Sequence, residues 1–404
     1  MSIVFWFFLV NPLIGVLLVP KFIFEEKKRI KAWSFLLGTS FGYMSYFINP
    51  SPTIDLARYF EKIEMLANFS MSQFLSYYDL SAKLDLSNWF FFLISKLNDV
   101  HFMPLIVITF VYTIIFYMIL DNSTRNELSN KIVFLQIAIV VSFLSFPGVT
   151  SNIRNISAFV LFMFGFYLEV YHQKKNTQVW GIYVLSVLLH KTAVILIAFR
   201  ILSYVISKLK SKKILLSITL IFLFCSLTVS VIYHVVHMIP FTVPLTSIVD
   251  KAYTYATGFG SDNSYMAYIQ GSLFMKLQKI FYLLINLLFL FLFYRNDYVS
   301  KIFSFVKDDK KQQFMLFYFL NLVLTIGTIP IILPVYWRFS FVSIIFSWCI
   351  VTAKAMRGQL LIIVTIFLIL GGIIYQLLVL GQYTDFIEFI VNLFTNNYFS
   401  IFLR

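Results

Sequence analysis

From Phe102 to Leu120 the chain runs through "FMPLIVITFVYTIIFYMIL" without a charged side chain, and from Leu360 to Leu380 through "LLIIVTIFLILGGIIYQLLVL" in the same way. A helix of roughly 20 apolar residues matches the hydrocarbon thickness of a bilayer. Composition points the same way: 60% of the residues are hydrophobic, 12% are charged, and 48 are phenylalanine. So few charges cannot cover that much apolar surface in water, and the mean hydropathy of +0.85 restates the point. The expectation is an all-α polytopic integral membrane protein, a single transmembrane domain over residues 1–404.

The apolar runs give about twelve spans, at 2–20, 33–49, 102–120, 132–147, 155–171, 179–190, 192–206, 214–233, 277–294, 314–329, 339–353 and 360–380. The first, "MSIVFWFFLVNPLIGVLLVP", lacks a basic leading region and a small-residue cleavage site, so it reads as a span and not a removed signal. The net charge of +14 raises nucleic acid as a partner until the cations are located. Most sit in short loops: Lys21–Lys31, Lys174–Lys175, Lys208–Lys213, Arg295–Lys311 and Lys354–Arg357. With alternating spans these loops share one side, which the positive-inside rule makes cytoplasmic. Both termini, and two long loops at 50–101 and 234–276, then lie outside. Cys225 and Cys349 fall inside apolar runs without a metal or redox spacing. No glycine-rich phosphate loop, HExxH or CxxC occurs, so neither cofactor nor metal is expected and nucleic acid is not a partner.

In the first outer loop, "SPTIDLARYFEKIEML" opens with Ser51 and Pro52, a cap and first helical position. Leu56, Tyr59, Phe60, Ile63 and Leu66 recur at helical spacing, which predicts a helix along the membrane surface. The piece Asn88–Leu97 is too short to span. The run Val179–Val205 is long enough for one helix, yet both flanking lysine clusters must be cytoplasmic. The chain therefore turns back at its polar pair, His190–Lys191.

Ionisable groups at membrane depth are functional candidates by default. Arg154, in "SFPGVTSNIRNISAFVLFMFGFYL", occupies the first turn of a span, where the helix dipole disfavours a cation. It also sits on the side the charge rule leaves poor in cations. Two unfavourable placements call for a negative partner. With the Asn152 and Asn155 amides and free backbone N–H groups, Arg154 makes an anion site. Arg338 in "PVYWRFSFVS" repeats the arrangement at a later span, and His190–Lys191 at the seventh. If the three converge, the natural ligand is a phosphate or diphosphate, whose oxygens fit guanidinium forks. Asp55, Arg58 and Tyr59 share a helical face, either as a surface ion pair or as a sugar-binding group.

These pieces, "DLARY" at Asp55–Tyr59, "SNIRNISAFVLFMFGFYL" around Arg154, "VLSVLLHKTAVILIAF" around His190 and "YWRFS" at Arg338, resemble the EpsG/Wzy-type polysaccharide polymerases. Lys191 departs from that pattern, which has a small or polar residue after the histidine. The resemblance implies a GT-C-like integral glycosyltransferase in the bacterial inner membrane, its site facing the periplasm or cell exterior. It implies polymerisation of undecaprenyl-diphosphate-linked oligosaccharide repeats of O-antigen, capsule or exopolysaccharide. The growing glycan passes from its lipid diphosphate to the next lipid-linked unit. Arg154 and Arg338 then stabilise the departing diphosphate, and His190 is the base or a phosphate ligand. Asp55, Arg58, Tyr59, Asn152, Asn155 and Lys191 contact substrate. Membrane lipid, a chain-length regulator and a flippase are the implied partners. A lipid-linked oligosaccharide flippase and a glycan ligase are the rival readings, since both handle the same carrier.

Overall fold

A computed structural model of the chain describes residues 11–12, 29–52, 54–97, 99–225, 228, 234, 273–304, 310–328 and 335–402. Every regular element among them is helical. Four helices, Phe102–Arg125, Ile153–Tyr171, Lys276–Arg295 and Gln359–Gly381, are long and apolar enough to cross a membrane. Nearly all of the run expected as a first span and of the 234–276 loop lies outside the described residues. The chain divides into two compact units, Met1–Leu196 with Met356–Arg404, and Ile197–Ala355.

The first unit contains α1 (Ile30–Tyr46), four short helices α2 (Asp55–Ala67), α3 (Met71–Tyr77), α4 (Leu80–Lys83) and α5 (Leu86–Ile94), then α6 (Phe102–Arg125), α7 (Asn130–Phe143), α8 (Phe146–Ser151), α9 (Ile153–Tyr171) and α10 (Asn176–Leu189). Helix α1 lies against α6 through Gly38 and Gly42, one turn apart. A Cβ at Gly38 would come within 2.7 Å of the Thr109 carbonyl, and one at Gly42 within 2.6 Å of the Leu105 carbonyl. Small residues at this spacing let two apolar helices meet backbone to backbone. Pro104 is tolerated in α6 because it falls in the first turn, where an N–H has no carbonyl to reach.

A break between α7 and α8 positions the start of α9. Pro147 cannot donate, and Leu144 has extended backbone. Gln376, just after a π-helical stretch at Leu370–Tyr375, supplies the missing partner. Its Nε2 donates to the carbonyls of Val141, Ser142 and Leu144 at 3.1, 3.1 and 2.9 Å, and its Oε1 accepts from Phe146 N at 3.1 Å. Ser145 caps α8. A single residue, Asn152, then separates α8 from α9, whose second residue is Arg154.

The outer segment is helical, with one correction. Helix α2 starts at Asp55, not at Pro52, because Ser51–Pro52 form a turn in which Ile54 N donates to the Ser51 carbonyl at 3.1 Å. Its buried residues Leu56, Phe60, Ile63 and Leu66 trace the expected stripe. Lys96 closes its far end, donating to the carbonyls of Leu66, Ala67 and Phe69. Helix α5, Leu86–Ile94, is too short to span. At the opposite end of the unit, Asp121 accepts from Arg125 Nε at 2.7 Å and Tyr167 at 2.6 Å, and His172 Nε2 lies 2.8 Å away. That knot makes α6 and α9 finish at the same end.

The run Val179–Val205 is interrupted where expected: α10 stops at Leu189, His190 is extended, and α11 (Ala193–Leu209) begins after a turn. The division between the units falls inside α11. The second unit then holds α12 (Lys212–Leu223), α13 (Leu273–Arg295), α14 (Tyr298–Ser304), α15 (Lys310–Thr328) and α16 (Val335–Ile345). Its core carries buried amides: Asn286 donates to Ser340 Oγ at 2.9 Å, and Asn321 to Ser343 Oγ at 2.8 Å and the Phe339 carbonyl at 3.1 Å. Such cross-helix bonds are worth making where no water competes.

Candidate functional site

Arg154 has the negative partner its placement calls for, and it is Asp85. The guanidinium Nη2 lies 2.5 Å from Asp85 Oδ2, with both side chains largely covered, 25% and 19% exposed. Asp85 is placed by its second task, capping α5: Oδ1 accepts from Ser87 N at 2.9 Å and Ser87 Oγ at 2.5 Å. The N-terminus of α9 is not open, since α8 runs into it across Asn152, so the counter-charge comes from a side chain of the outer segment.

A second cation shares the site. Lys62, on α2, places Nζ 2.7 Å from Asn88 Oδ1 and over the rings of Tyr78 and Phe91 at 5.3 and 5.6 Å. Asn88 is held by donating to the Ala82 carbonyl at 2.8 Å. Burial holds the Lys62 ammonium below its ordinary range; repulsion from Arg154 adds to this, and Asp85 opposes it. Burial also raises the Tyr78 hydroxyl, with Tyr77 and Asp85 adding to the effect, so it remains a neutral donor. Two cations and one carboxylate leave an excess positive charge in a largely desolvated place. Arg154 Nε and Tyr78 OH are buried without a hydrogen-bond partner among the described residues.

Asn155, next along α9, accepts from Thr192 Oγ1 at 3.0 Å, and Thr192 Oγ1 lies 2.6 Å from His190 Nδ1. Thr192 N also donates to Nδ1, at 3.3 Å. His190 is thereby tied to the residue beside Arg154.

The remaining residues expected at the site have separate surroundings. Asp55 and Arg58 pair with each other on the exposed face of α2. Tyr59 packs on Phe91, the ring beneath Lys62, with centroids 5.3 Å apart. Asn152 spends its amide on the Gly148 carbonyl and Ser151 Oγ. Lys191 is exposed. Arg338 sits in the first turn of α16, its guanidinium 5.7 Å from the Trp337 ring, and belongs to the second unit.

Lys62, Tyr78, Asp85, Asn88 and Thr192 were not singled out by sequence pattern. Lys62 was within reach, because it continues the Asp55–Arg58–Tyr59 face by one more step of four. Asp85 announces a helix cap, but nothing local joins it to an arginine 69 residues away. No cluster of three metal-ligating side chains occurs among the described residues. An apolar groove of about 670 Å³ between α9 and α10, with Lys174 on its wall, lies toward the other end of α9 and contributes nothing to this site. No protein-family model, curated protein or solved structure matches the chain.

Proposed function

We propose that the chain is an integral-membrane glycosyltransferase of the EpsG/Wzy type, polymerising polyprenyl-diphosphate-linked oligosaccharide repeats at the outer face of a bacterial cytoplasmic membrane. One observation carries the reading: Arg154 is paired with Asp85 through one nitrogen, its Nε is buried and unpaired among the described residues, and Lys62 close by bonds only a neutral amide. Such a site favours a multiply charged oxyanion. The leaving group of this transfer is a diphosphate, and pre-placed donors are worth most where charge develops.

In this reading Arg154, Lys62 and Tyr78 receive the diphosphate, and Arg338 is a further arginine that the resemblance implies. His190 is the base for the acceptor hydroxyl or a ligand of a phosphate oxygen. The lipid-linked donor carries its own leaving group. About twelve spans and a GT-C-like arrangement go with the reading.

The test is reconstitution of the full chain in vesicles with lipid-linked repeat units. Wild type gives a ladder of longer glycans; Arg154→Ala lowers the rate by about 10²–10³-fold, Arg338→Ala abolishes the ladder, and Arg154→Lys remains poor because it loses the fork. A full ladder from the alanine variants overturns the assignment, and movement of the lipid without elongation identifies a flippase instead.

A further inference from the structure

We propose that the resting occupant of the Arg154 site is the protein's own Asp85 carboxylate, which an incoming diphosphate displaces from Arg154 while also engaging Lys62. The proposal rests on the reading that this site receives an oxyanion.

The two Asp85 oxygens have separate duties. Oδ1 caps α5 through Ser87, and only Oδ2 reaches Arg154. The contact to Arg154 can therefore open while the cap on α5 stays made. Arg154 offers Asp85 one nitrogen, Nη2, although its fork suits two oxygens. Nε is left buried and without a partner among the described residues. The other cation, Lys62, hydrogen-bonds the neutral Asn88, and no carboxylate is within ion-pair distance of it among the described residues. Tyr78 OH adds a buried donor with no acceptor among those residues. Asp85 thus satisfies the site in part: enough to hold Arg154 in place, too little to saturate the two cations.

Selectivity follows from that partial fit. A lipid phosphodiester brings one negative charge and gains little by exchanging with a carboxylate already in place. A diphosphate brings more charge and more oxygens, so it can engage Arg154 bidentately and Lys62 together. Asp85 is in this sense a positioning and selecting residue that keeps abundant phospholipid headgroups off the arginine.

Asparagine is as good a helix cap as aspartate, so Asp85→Asn removes the charge and leaves α5 capped. Asp85→Ser does the same with a second capping residue. Inorganic pyrophosphate is titrated into the detergent-solubilised full chain, with glycerophosphoglycerol as the monoanionic probe, and circular dichroism checks the fold of each variant. Asp85→Asn and Asp85→Ser are expected to bind pyrophosphate about tenfold tighter than wild type and to gain affinity for the monoanion, while Arg154→Ala loses both. Equal or weaker pyrophosphate binding by the folded Asp85 variants, with Arg154→Ala still abolishing it, overturns the displacement and leaves the anion site standing. No pyrophosphate binding in wild type or in the Asp85 variants overturns both.

Discussion

Lys62 shows how a residue's surroundings fix its chemistry. Its ammonium sits below the ordinary lysine value of 10.5 because burial and then Arg154 disfavour the charge, with Asp85 only partly restoring it. The unfolded chain therefore holds that proton more tightly than the folded one. Stability rises with pH between the lowered value and 10.5, where the unfolded state still binds the proton and the folded state does not. Anion binding runs the other way and weakens as pH rises through the lowered value. Lys62→Arg, which stays charged, is expected to move the alkaline limit of pyrophosphate binding upward, while Lys62→Met weakens binding at every pH. Titrations across the alkaline range check this; an unchanged limit in Lys62→Arg removes Lys62 from the site.

Among the elements, the informative ones are those whose ends or crossings rest on one residue. Gln376 donates to three carbonyls exposed by the α7–α8 break and accepts the Phe146 N–H. Gln376→Leu leaves these groups without partners in an apolar setting, at about 1–3 kcal/mol for each buried unsatisfied group. A clear fall in the thermal midpoint in detergent is expected, and because α8 leads directly into Arg154, pyrophosphate affinity should fall with it. An unchanged midpoint means another donor fills the gap. Gly42→Leu drives a side chain into Thr109 and the Leu105 carbonyl, so the yield of folded protein should collapse, while the same change at Gly181, where an added Cβ meets nothing within 4 Å, should be tolerated. Size-exclusion profiles compare the two. The α2 stripe and the stop at His190 were legible because helical spacing and polar interruption are local signals. The α2 start was misplaced by three residues because Ser51–Pro52 suits a turn as well as a cap.

For the whole molecule, the apolar helices imply a direction across the membrane. Helices α6 and α9 end together at the Asp121–Arg125–Tyr167–His172 knot. Arg154 lies at the start of α9, a helix of 19 residues and so about 28 Å long. If both helices span, Lys62 and Lys175 lie on opposite sides. Cysteine placed at Lys62 should react with an impermeant maleimide added to intact cells, and cysteine at Lys175 only after the membrane is opened. Labelling of both from outside would remove the assigned orientation.

The sequence by itself determined that the chain is helical and apolar, where the helix at 179–205 is interrupted, and that Arg154 needs a negative partner. Those conclusions come from composition, spacing and charge penalties, which act over a few residues or over the whole chain. Only the tertiary structure decided who the partner is. Asp85 meets Arg154 across 69 residues, Lys62 arrives on a separate helix, and Gln376 closes a break some 230 residues before it. Such pairings depend on which helix faces pack together, and a penalty that demands a counter-charge does not say which part of the chain supplies it.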